Sequence, residues 1–321
     1  MTSELLIQHE TTGYIPCVEE GVTLELERKG TPGKLKFSVV NDGNLKFEEG
    51  DPVRFSIDGT AIFYGFIFTK STSSKTPEVI DCVAYDQLRY LKNKDTYSYT
   101  NKTVAEVVQM IAADFGLNCG TLEDSGYKIA SRIEDNTTLF DIIQNAIDET
   151  LQATTHLYVL YDDVGKLTLR NIENMRLGLL IDSETAAEYD YKSTIDDKTY
   201  NQIKVVYEDS KSKKRSVYIA KDSSHINSWG LLQMTEKVEQ PTSGAAKADA
   251  LLQLYNAKTK TLTVKDALGD VRVRAGTSLV VHLELEDMTV QSMMVVESVK
   301  HTFKNEQHLM TLKLRGGLFV T

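Results

Sequence analysis

The sequence is poor in the residues that interrupt or cross-link a polypeptide chain. Its 321 residues include five prolines, three cysteines and one tryptophan. Cys17, Cys82 and Cys119 lie far apart and form no C-x-x-C pair, so neither a disulfide framework nor a structural metal site is predicted. Because prolines are few and no long glycine/serine tract is present, we expect any domains to be joined tightly.

Long apolar runs are also missing. No stretch approaches the roughly 20 consecutive apolar residues of a membrane-spanning helix, so no membrane span is predicted. The N-terminal segment Met1–His9 lacks the basic flank and the apolar length of a signal peptide, which predicts folding in the cytoplasm. The formal net charge of −10 opposes tight binding to a phosphate backbone, and we predict no specific nucleic-acid binding.

Motifs of catalysis and nucleotide binding are absent as well. No G-x-x-x-x-G-K-[ST] or G-x-G-x-x-G follows a predicted strand, and no G-x-S-x-G occurs. No cysteine opens a predicted helix beside a histidine, as a thiol nucleophile would need. Acidic pairs such as Glu284/Glu286 and Asp162/Asp163 are expected by chance among 46 Asp and Glu residues. We therefore predict no catalytic residue and no enzyme.

The six histidines indicate no metal site either, because they show no H-x-x-x-H or H-E-x-x-H spacing. His301 and His308 are predicted to lie on neighbouring strands of one hairpin. Two strand histidines without a third ligand are usually ordinary structural residues. We predict no metal-binding residue, no cofactor-binding residue and no cofactor.

What the sequence does contain is alternating hydrophobicity over its first part. Apolar residues alternate with polar ones in Val22–Leu26, Leu35–Val39 and Val53–Ile57, which is the period of half-buried strands. Turn signals such as Asp58-Gly59 separate the runs. Residues 1–95 are therefore predicted to form an N-terminal β-barrel-like domain.

The pattern becomes helical after residue 96. One stripe runs through Val104–Phe115, with Thr103 and Glu106 in the spacing of a capping box. A second stripe covers Leu139–Leu151, and two alternating runs follow as a hairpin. Residues 96–172 are predicted to be an α/β domain with two helices and a hairpin.

The remainder returns to β structure around a third predicted helix, about Ser243–Ala257. Before it, the charged segment Glu208–Arg215 is predicted to be a solvated hairpin tip rather than a basic patch for an anionic partner. Residues 173–258 are a mixed β/α segment, and residues 259–321 supply strands that complete a second barrel-like domain. The fold class is α+β, mainly β, with two small β-barrel-like domains flanking a mixed α/β centre.

A weak internal repeat supports the two related domains. The order glycine, strand, turn, strand, loop, strand begins at Glu49–Val53 and again at Arg274–Leu279. Hardly any residue identity accompanies this match, so chance similarity between two β-meanders remains an alternative.

The order of these segments resembles the hub family of contractile tails, the XkdQ/YqbQ-type prophage tail proteins. The resemblance covers about residues 45–170, and the C-terminal part matches in pattern only. It is carried by Glu49–Val53, Ala61–Ile67, Val83–Leu88, Thr103–Val108, Phe115–Leu117, Thr138–Ile143 and Gly165–Leu169.

This resemblance implies a structural baseplate hub that joins the tail tube to the spike in a contractile phage tail or tail-like particle. It implies a homotrimer whose partners are the tail tube protein, the spike protein and other baseplate proteins. The chain would be assembled in the cytoplasm of a bacterial host and would end in the virion or particle. The alternatives are a tail-tip receptor- or carbohydrate-binding module and a tail-associated peptidoglycan hydrolase.

Overall fold

In the computed structural model, the structure describes residues 1–182, 185, 188–208, 214–238, 244–284 and 289–316. The first part of the chain is all strand: β1 (Ser3–His9), β2 (Thr12–Tyr14), β3 (Val18–Glu27), β4 (Lys34–Val40), β5 (Pro52–Ile57), β6 (Thr60–Ser73) and β7 (Thr76–Tyr85). The middle contains β8 (Lys94–Lys102), α1 (Val104–Asp114), β9 (Cys119–Leu122), β10 (Ile129–Thr138), α2 (Leu139–Thr154), β11 (Tyr158–Asp162) and β12 (Leu167–Asn171), with 3-10 turns at Gln87–Lys92 and Ile172–Met175.

The last part begins with β13 (Arg176–Ile181), β14 (Glu188–Thr194), β15 (Gln202–Glu208), β16 (Arg215–Lys221), α3 (Ser223–Trp229), β17 (Gln233–Val238) and α4 (Gly244–Tyr255). It ends with β18 (Thr259–Leu268), β19 (Ser278–Glu284), β20 (Thr289–Lys304) and β21 (Gln307–Gly316). The protein is therefore mainly β, as predicted. No helix among the described residues combines the length and apolarity needed to cross a membrane.

The first two predicted helices are confirmed together with their start signals. In α1 the Thr103 hydroxyl accepts from the Glu106 N–H, and the Glu106 carboxylate accepts from the Thr103 N–H at 2.7 Å. Helix α2 begins after Thr138, whose hydroxyl accepts from the Asp141 N–H. It ends at Thr155, which has a left-handed backbone with φ 61°.

The large sheet contains two sets of six strands that are arranged in the same order. The N-terminal β-unit has the order β3-β4-β7-β6-β5-β1, and the C-terminal β-unit has the order β14-β18-β21-β20-β19-β13. In each set the first two strands, β3-β4 or β14-β18, form an antiparallel pair. The next three strands along the chain, β5-β6-β7 or β19-β20-β21, form an antiparallel meander. The last strand of the meander, β7 or β21, pairs with the second strand of the first pair, β4 or β18. The two sets differ at the end, where β1 is antiparallel to β5 but β13 is parallel to β19.

The equivalence extends to single hydrogen bonds. The N–H of Gly50 donates to the Ile67 carbonyl at 2.8 Å, and the N–H of Gly276 donates to the Val296 carbonyl at 2.8 Å. Both glycines have positive φ, 99° and 95°, which favours glycine over residues with a side chain. A break in register follows Ile67 in β6 and Val296 in β20. The repeat predicted from Glu49–Val53 and Arg274–Leu279 is therefore confirmed in the backbone.

One strand belongs to both β-units. The first half of β20 pairs with β19, and its second half pairs with β3, from Ser298 opposite Glu27 to Phe303 opposite Val22. This pairing fuses the two units into one 13-stranded sheet. Phe303 reaches the N-terminal core, where its ring centroid lies 5.1 Å from that of Phe55 on β5.

The Phe303–Phe55 contact joins strands that are five positions apart along the sheet path, so the N-terminal sheet curls around its core. The pairing path of the described strands does not return to its start. Complete barrels thus stay a prediction, as do the domain boundaries. We note that β13 and β14 pair into the C-terminal β-unit.

A small unit is inserted between β14 and β18, where the N-terminal β-unit has only the turn between β3 and β4. It consists of the sheet β16-β15-β17, with α3 and α4. Ala248 and Leu251 of α4 pack against Ile203 and Val205, and α4 also contacts α2. Ser243 of the predicted third helix, and residues 209–213 of the predicted hairpin tip, lie outside the described residues.

A paired arginine stabilises the shared strand. Glu297 is the additional residue at the break in β20, and its carboxylate accepts two hydrogen bonds from the Arg28 guanidinium, at 3.0 and 2.8 Å. The Arg28 side chain is only 6% exposed. Such bidentate charged pairs are stronger than neutral hydrogen bonds.

We expect Arg28→Met to lower the free energy of unfolding by about 1–3 kcal/mol, because it removes charge-assisted hydrogen bonds from a buried position. Arg215→Met is the control, since the Arg215 side chain is 66% exposed in its pair with Glu208, and exposed pairs contribute about 0–1 kcal/mol. Urea unfolding followed by circular dichroism measures both. Equal losses in the two variants would contradict this prediction.

Candidate functional site

Three charged side chains converge where the β11–β12 hairpin meets both β-units. Asp86 and Asp162 are 4% and 7% exposed. Arg274, from the loop between β18 and β19, donates to the Asp162 carbonyl at 2.5 Å and lies 3.7 Å over the Tyr161 ring. A further guanidinium nitrogen is 3.4 Å from the Asp163 carboxylate. We call Asp86, Asp162 and Arg274 the central junction.

The two carboxylates of the central junction are largely occupied by backbone donors. Asp86 accepts from the N–H groups of Gly33 and Leu88, at 2.9 and 3.0 Å. A Cβ on Gly33 would lie 2.4 Å from an Asp86 carboxylate oxygen, which explains the glycine at that position. Asp162 accepts from the Gly165 N–H at 2.7 Å and thereby closes the hairpin turn.

The electrostatics of the central junction are those of a desolvated cluster. Burial raises the pKa of Asp86 well above its usual value, and the neighbouring Asp162 carboxylate raises it further. Burial also raises the pKa of Asp162, whereas the Gly165 N–H and Arg274 oppose that rise. One Asp162 oxygen and the Arg274 Nε have no hydrogen-bond partner among the described residues.

Raised carboxyl pKa values also occur in acid–base catalysts. Here both oxygens of Asp86 are held by main-chain N–H groups, and Arg274 binds a main-chain carbonyl. The arrangement can therefore hold three parts of the chain in register. In the sequence, Asp162/Asp163 is indistinguishable from a chance acidic pair, and only the repeat around Arg274–Leu279 indicates the loop that reaches them.

The predicted histidine pair is confirmed on neighbouring strands. His301 is 2% exposed, and its Nδ1 lies 2.9 Å from the Nε2 of His308. The other ring nitrogen of His301 lies 2.9 Å from the Val273 carbonyl. Since a carbonyl only accepts, that nitrogen carries the proton, and Nδ1 accepts from His308. Both His301 nitrogens are therefore occupied.

The three cysteines differ in burial. Cys82 is buried, and burial raises the pKa of its thiol to about 12, opposite to the shift of a nucleophilic cysteine. Cys17 and Cys119 are exposed free thiols. No cluster of three or more potential metal ligands exists in the part of the chain that the structure describes.

One open groove of about 570 Å³ lies between the inserted unit and the C-terminal β-unit. Trp229 lines it and stacks on His225, with ring centroids 3.8 Å apart. His225 is held by Asn256 at 2.7 Å, and Asn256 donates to Asp222. No sequence signal predicts this groove, because Trp229 and Asn256 are 27 residues apart and α3 has no apolar stripe.

Arg274→Met should destabilise the protein by about 2–4 kcal/mol, because it removes the hydrogen bond to the Asp162 carbonyl and the positive charge that opposes the rise in pKa of the buried Asp86 and Asp162 carboxyls. Arg272→Met is the matched control in the same loop, since the Arg272 side chain is 67% exposed. The double variant Arg274→Met/Asp162→Asn should recover part of the loss in a double-mutant cycle. Additive losses, measured by urea unfolding, would contradict the coupling.

The histidine pair predicts a pH dependence of stability. Burial lowers the pKa of His301 to about 3, with a further decrease from His308, whose own pKa burial also lowers. Arg274 lowers and Asp270 raises the His301 pKa. Since the folded pKa lies below the unfolded value, this contribution is complete above about pH 6.5 and is lost as the pH falls toward the folded pKa.

We expect the free energy of unfolding to decrease by about 1 kcal/mol per pH unit between pH 6 and 4 through these histidines. His301→Gln should flatten that slope, because glutamine can donate to Val273 and accept from His308 without titrating. His156→Gln, at an exposed position, should leave the slope unchanged. Equal slopes in all three proteins would refute this assignment.

The sequence matches a known protein family and a curated relative over most of its length. The YQBQ-like family model matches residues 22–315. Over 311 residues the chain is 31% identical to the phage-like element PBSX protein XkdQ of Bacillus subtilis (strain 168), covering 94% of this chain and 93% of XkdQ.

Solved structures share the fold at low sequence identity. The tail protein from Neisseria meningitidis MC58 aligns with a TM-score of 0.70 and 12% identity, over 98% of this chain and 97% of that one. A component of the type VI secretion system of E. coli, described as similar in structure to the T4 bacteriophage tail proteins gp27 and gp5, aligns with a TM-score of 0.60 and 12% identity. That alignment covers 99% of this chain and 78% of the other.

These similarities are to phage tail and tail-like proteins, in agreement with the resemblance inferred from the sequence. The family model covers most of the chain, and XkdQ matches it over nearly its full length. The chain therefore belongs to the YQBQ-like family, in which the phage-like element protein XkdQ is its relative.

Proposed function

We propose that the protein is a non-enzymatic hub of a contractile tail or tail-like baseplate, where it joins the tail tube to the spike. The observation that carries this proposal is the presence of two β-units with the same strand order in one chain. Three copies would present six such units in a ring. A ring of this kind can face a hexameric tube on one side and a trimeric spike on the other.

The internal contacts support a rigid ring segment. The continuous strand β20, the Arg28–Glu297 pair and the central junction fix the two β-units relative to each other. Tube and spike could then bind to broad, preformed surfaces. An assembly role of this kind needs such surfaces and free strand edges rather than a catalytic pocket.

A second candidate function, receptor or carbohydrate binding at the tail tip, has one specific observation in its favour. The groove beside Trp229 has an indole ring, as sugar-binding platforms do, but His225 covers one face of it. Its nearby exposed lysine, Lys258, adds a charge that a neutral sugar does not require. The hub proposal is therefore the stronger one.

We expect light scattering of the purified chain to give a mass near three times 36.0 kDa, either alone or after addition of the cognate spike or tube protein. If the chain is a monomer at all concentrations and binds neither the spike nor the tube protein, the hub proposal is overturned. Trp229 is the only tryptophan, so its emission reports the groove directly. A monomer whose emission changes with oligosaccharide would favour the second candidate.

A further inference from the structure

The two β-units differ in how the edge of their longest meander strand is covered. Strand β20 pairs with β21 along one edge. Its other edge pairs with β19 over the first half of the strand and with β3 over the second half. Among the described residues, the edge of β6 opposite β7 is occupied only by β5 and by the main chain at Gly50 and Asp51. No described strand pairs with this edge over residues 69–73. We call residues 69–73 the open edge of β6.

The strand that would be the equivalent partner is also incompletely paired. Strand β14 occupies in the C-terminal β-unit the place that β3 occupies in the N-terminal one. Strand β3 lies between β4 and β20, whereas β14 has β18 as its only neighbour among the described strands. Each chain thus has one donor edge, β14, and one acceptor edge, β6, of the same type as the β3–β20 contact.

We propose that β14 of one copy pairs antiparallel with the open edge of β6 in the next copy, which repeats between chains the β3–β20 contact within the chain. The inference rests on the proposed hub function, and it names the surface through which the ring forms. The occupant is a second copy of this chain because the equivalent contact already exists inside the chain. A contact between different surfaces propagates head to tail and can close into a ring.

The internal repeat fixes which residues of β6 correspond to those of β20. Ile67 and Val296 accept the equivalent hydrogen bonds from Gly50 and Gly276. One additional residue follows each of them, so that pairing resumes at Thr69 in β6 and at Ser298 in β20. Counting onward, residues 69–73 of β6 correspond to residues 298–302 of β20.

The corresponding residues of β14 and β3 follow from their pairing inside each unit. Leu24 of β3 lies opposite Leu35, which lies opposite Ala84 of β7. In the C-terminal β-unit, Tyr191 lies opposite Leu262, which in turn lies opposite Leu314 of β21. Ala84 lies opposite Ile67, and Leu314 lies opposite Val296. Because Ile67 and Val296 are equivalent, Ala84 and Leu314 are equivalent too. Tyr191 therefore corresponds to Leu24.

The register between chains is then determined. Within the chain, Lys300 lies opposite Glu25 and His301 lies opposite Leu24. Transferred to the contact between copies, the predicted opposite pairs are Thr69 with Thr194, Lys70 with Ser193, Ser71 with Lys192, Thr72 with Tyr191, and Ser73 with Asp190.

The chemistry of these residues fits that register. None of the five pairs places like charges opposite each other, which would be unfavourable in a sheet. Ser71 and Thr72 of β6 are exposed, as are Asp190 and Lys192 of β14, so both edges are accessible in a single chain. The main-chain groups of such edges have unused hydrogen-bonding capacity that a second strand can satisfy.

The test uses disulfide formation in a Cys17→Ser/Cys119→Ser background, which removes the two exposed thiols and leaves Cys82 buried. One chain carries Ser71→Cys and another carries Lys192→Cys. Opposite residues in a sheet have Cα atoms about 4.5–5.5 Å apart, within disulfide range. After mild oxidation we expect covalent dimers in the mixture and none from either chain alone.

A matched control moves the second cysteine along the same face of β14. Glu188→Cys lies four residues from position 192, which is about 13 Å along a strand. It should therefore give no cross-link with Ser71→Cys. A chain that carries both Ser71→Cys and Lys192→Cys should give a covalent series that stops at three chains.

The outcomes separate the two proposals. The chain could be a trimer under reducing conditions and yet, after oxidation, form the Glu188→Cys cross-link or neither cross-link. That result would overturn this register, and the hub proposal would still hold. A chain that stays monomeric with its partners and gives no cross-link would overturn the hub itself. A covalent series that continues beyond three chains would uphold the strand contact and exclude the closed trimer.

Discussion

The backbone pairing of β20 with β3 is the constraint on which the rest of the structure depends. Strand β20 lies inside the C-terminal β-unit and also pairs with β3, the edge strand of the N-terminal β-unit, so the units cannot rotate independently without breaking main-chain hydrogen bonds. Because Phe303 of the same strand also enters the N-terminal core, the packing of that core and the placement of the C-terminal β-unit are linked. The two β-units are thus held together by direct strand pairing rather than by a linker between separate domains.

The central junction adds a polar constraint at the point where the α/β part meets both units. Buried ion pairs are often no more stabilising than apolar residues of the same volume, but removing one partner is costly. Such a cluster therefore penalises any arrangement that separates Arg274 from Asp162, even by a small displacement. In a protein whose proposed task is to present surfaces at fixed positions, this penalty on misplacement has greater value than additional stability.

Local features of the fold were predictable because their signals are local. The capping box of Thr103 and Glu106, the stripe of α2 and the glycine-led meanders all lie within short stretches of sequence. The short helix α3 was not predictable because it buries no residue and has no apolar face. The parallel pairing of β13 with β19 joins segments about 100 residues apart, and no periodicity reports such a pairing.

The residues of the candidate site can also be divided into local contacts, which the sequence predicts, and long-range contacts, which it does not. The sequence correctly indicated that His301 and His308 are neighbours, since one hairpin places them together. It could not indicate that Arg274 contacts Asp162, because 112 residues separate them and each looks like a surface charge on its own strand or turn. Burial turned these residues into a junction, and burial is a property of the assembled sheet rather than of either segment.

The inserted unit has a consequence for shape. It lies between the first two strands of the C-terminal β-unit, whereas in the N-terminal β-unit a short loop, residues 28–33, joins the corresponding strands. In the proposed ring, the inserted unit would appear on every second β-unit. The β-units could then repeat six times while the inserted units repeat three times, so one chain would serve neighbours of unequal symmetry without any change in its own conformation.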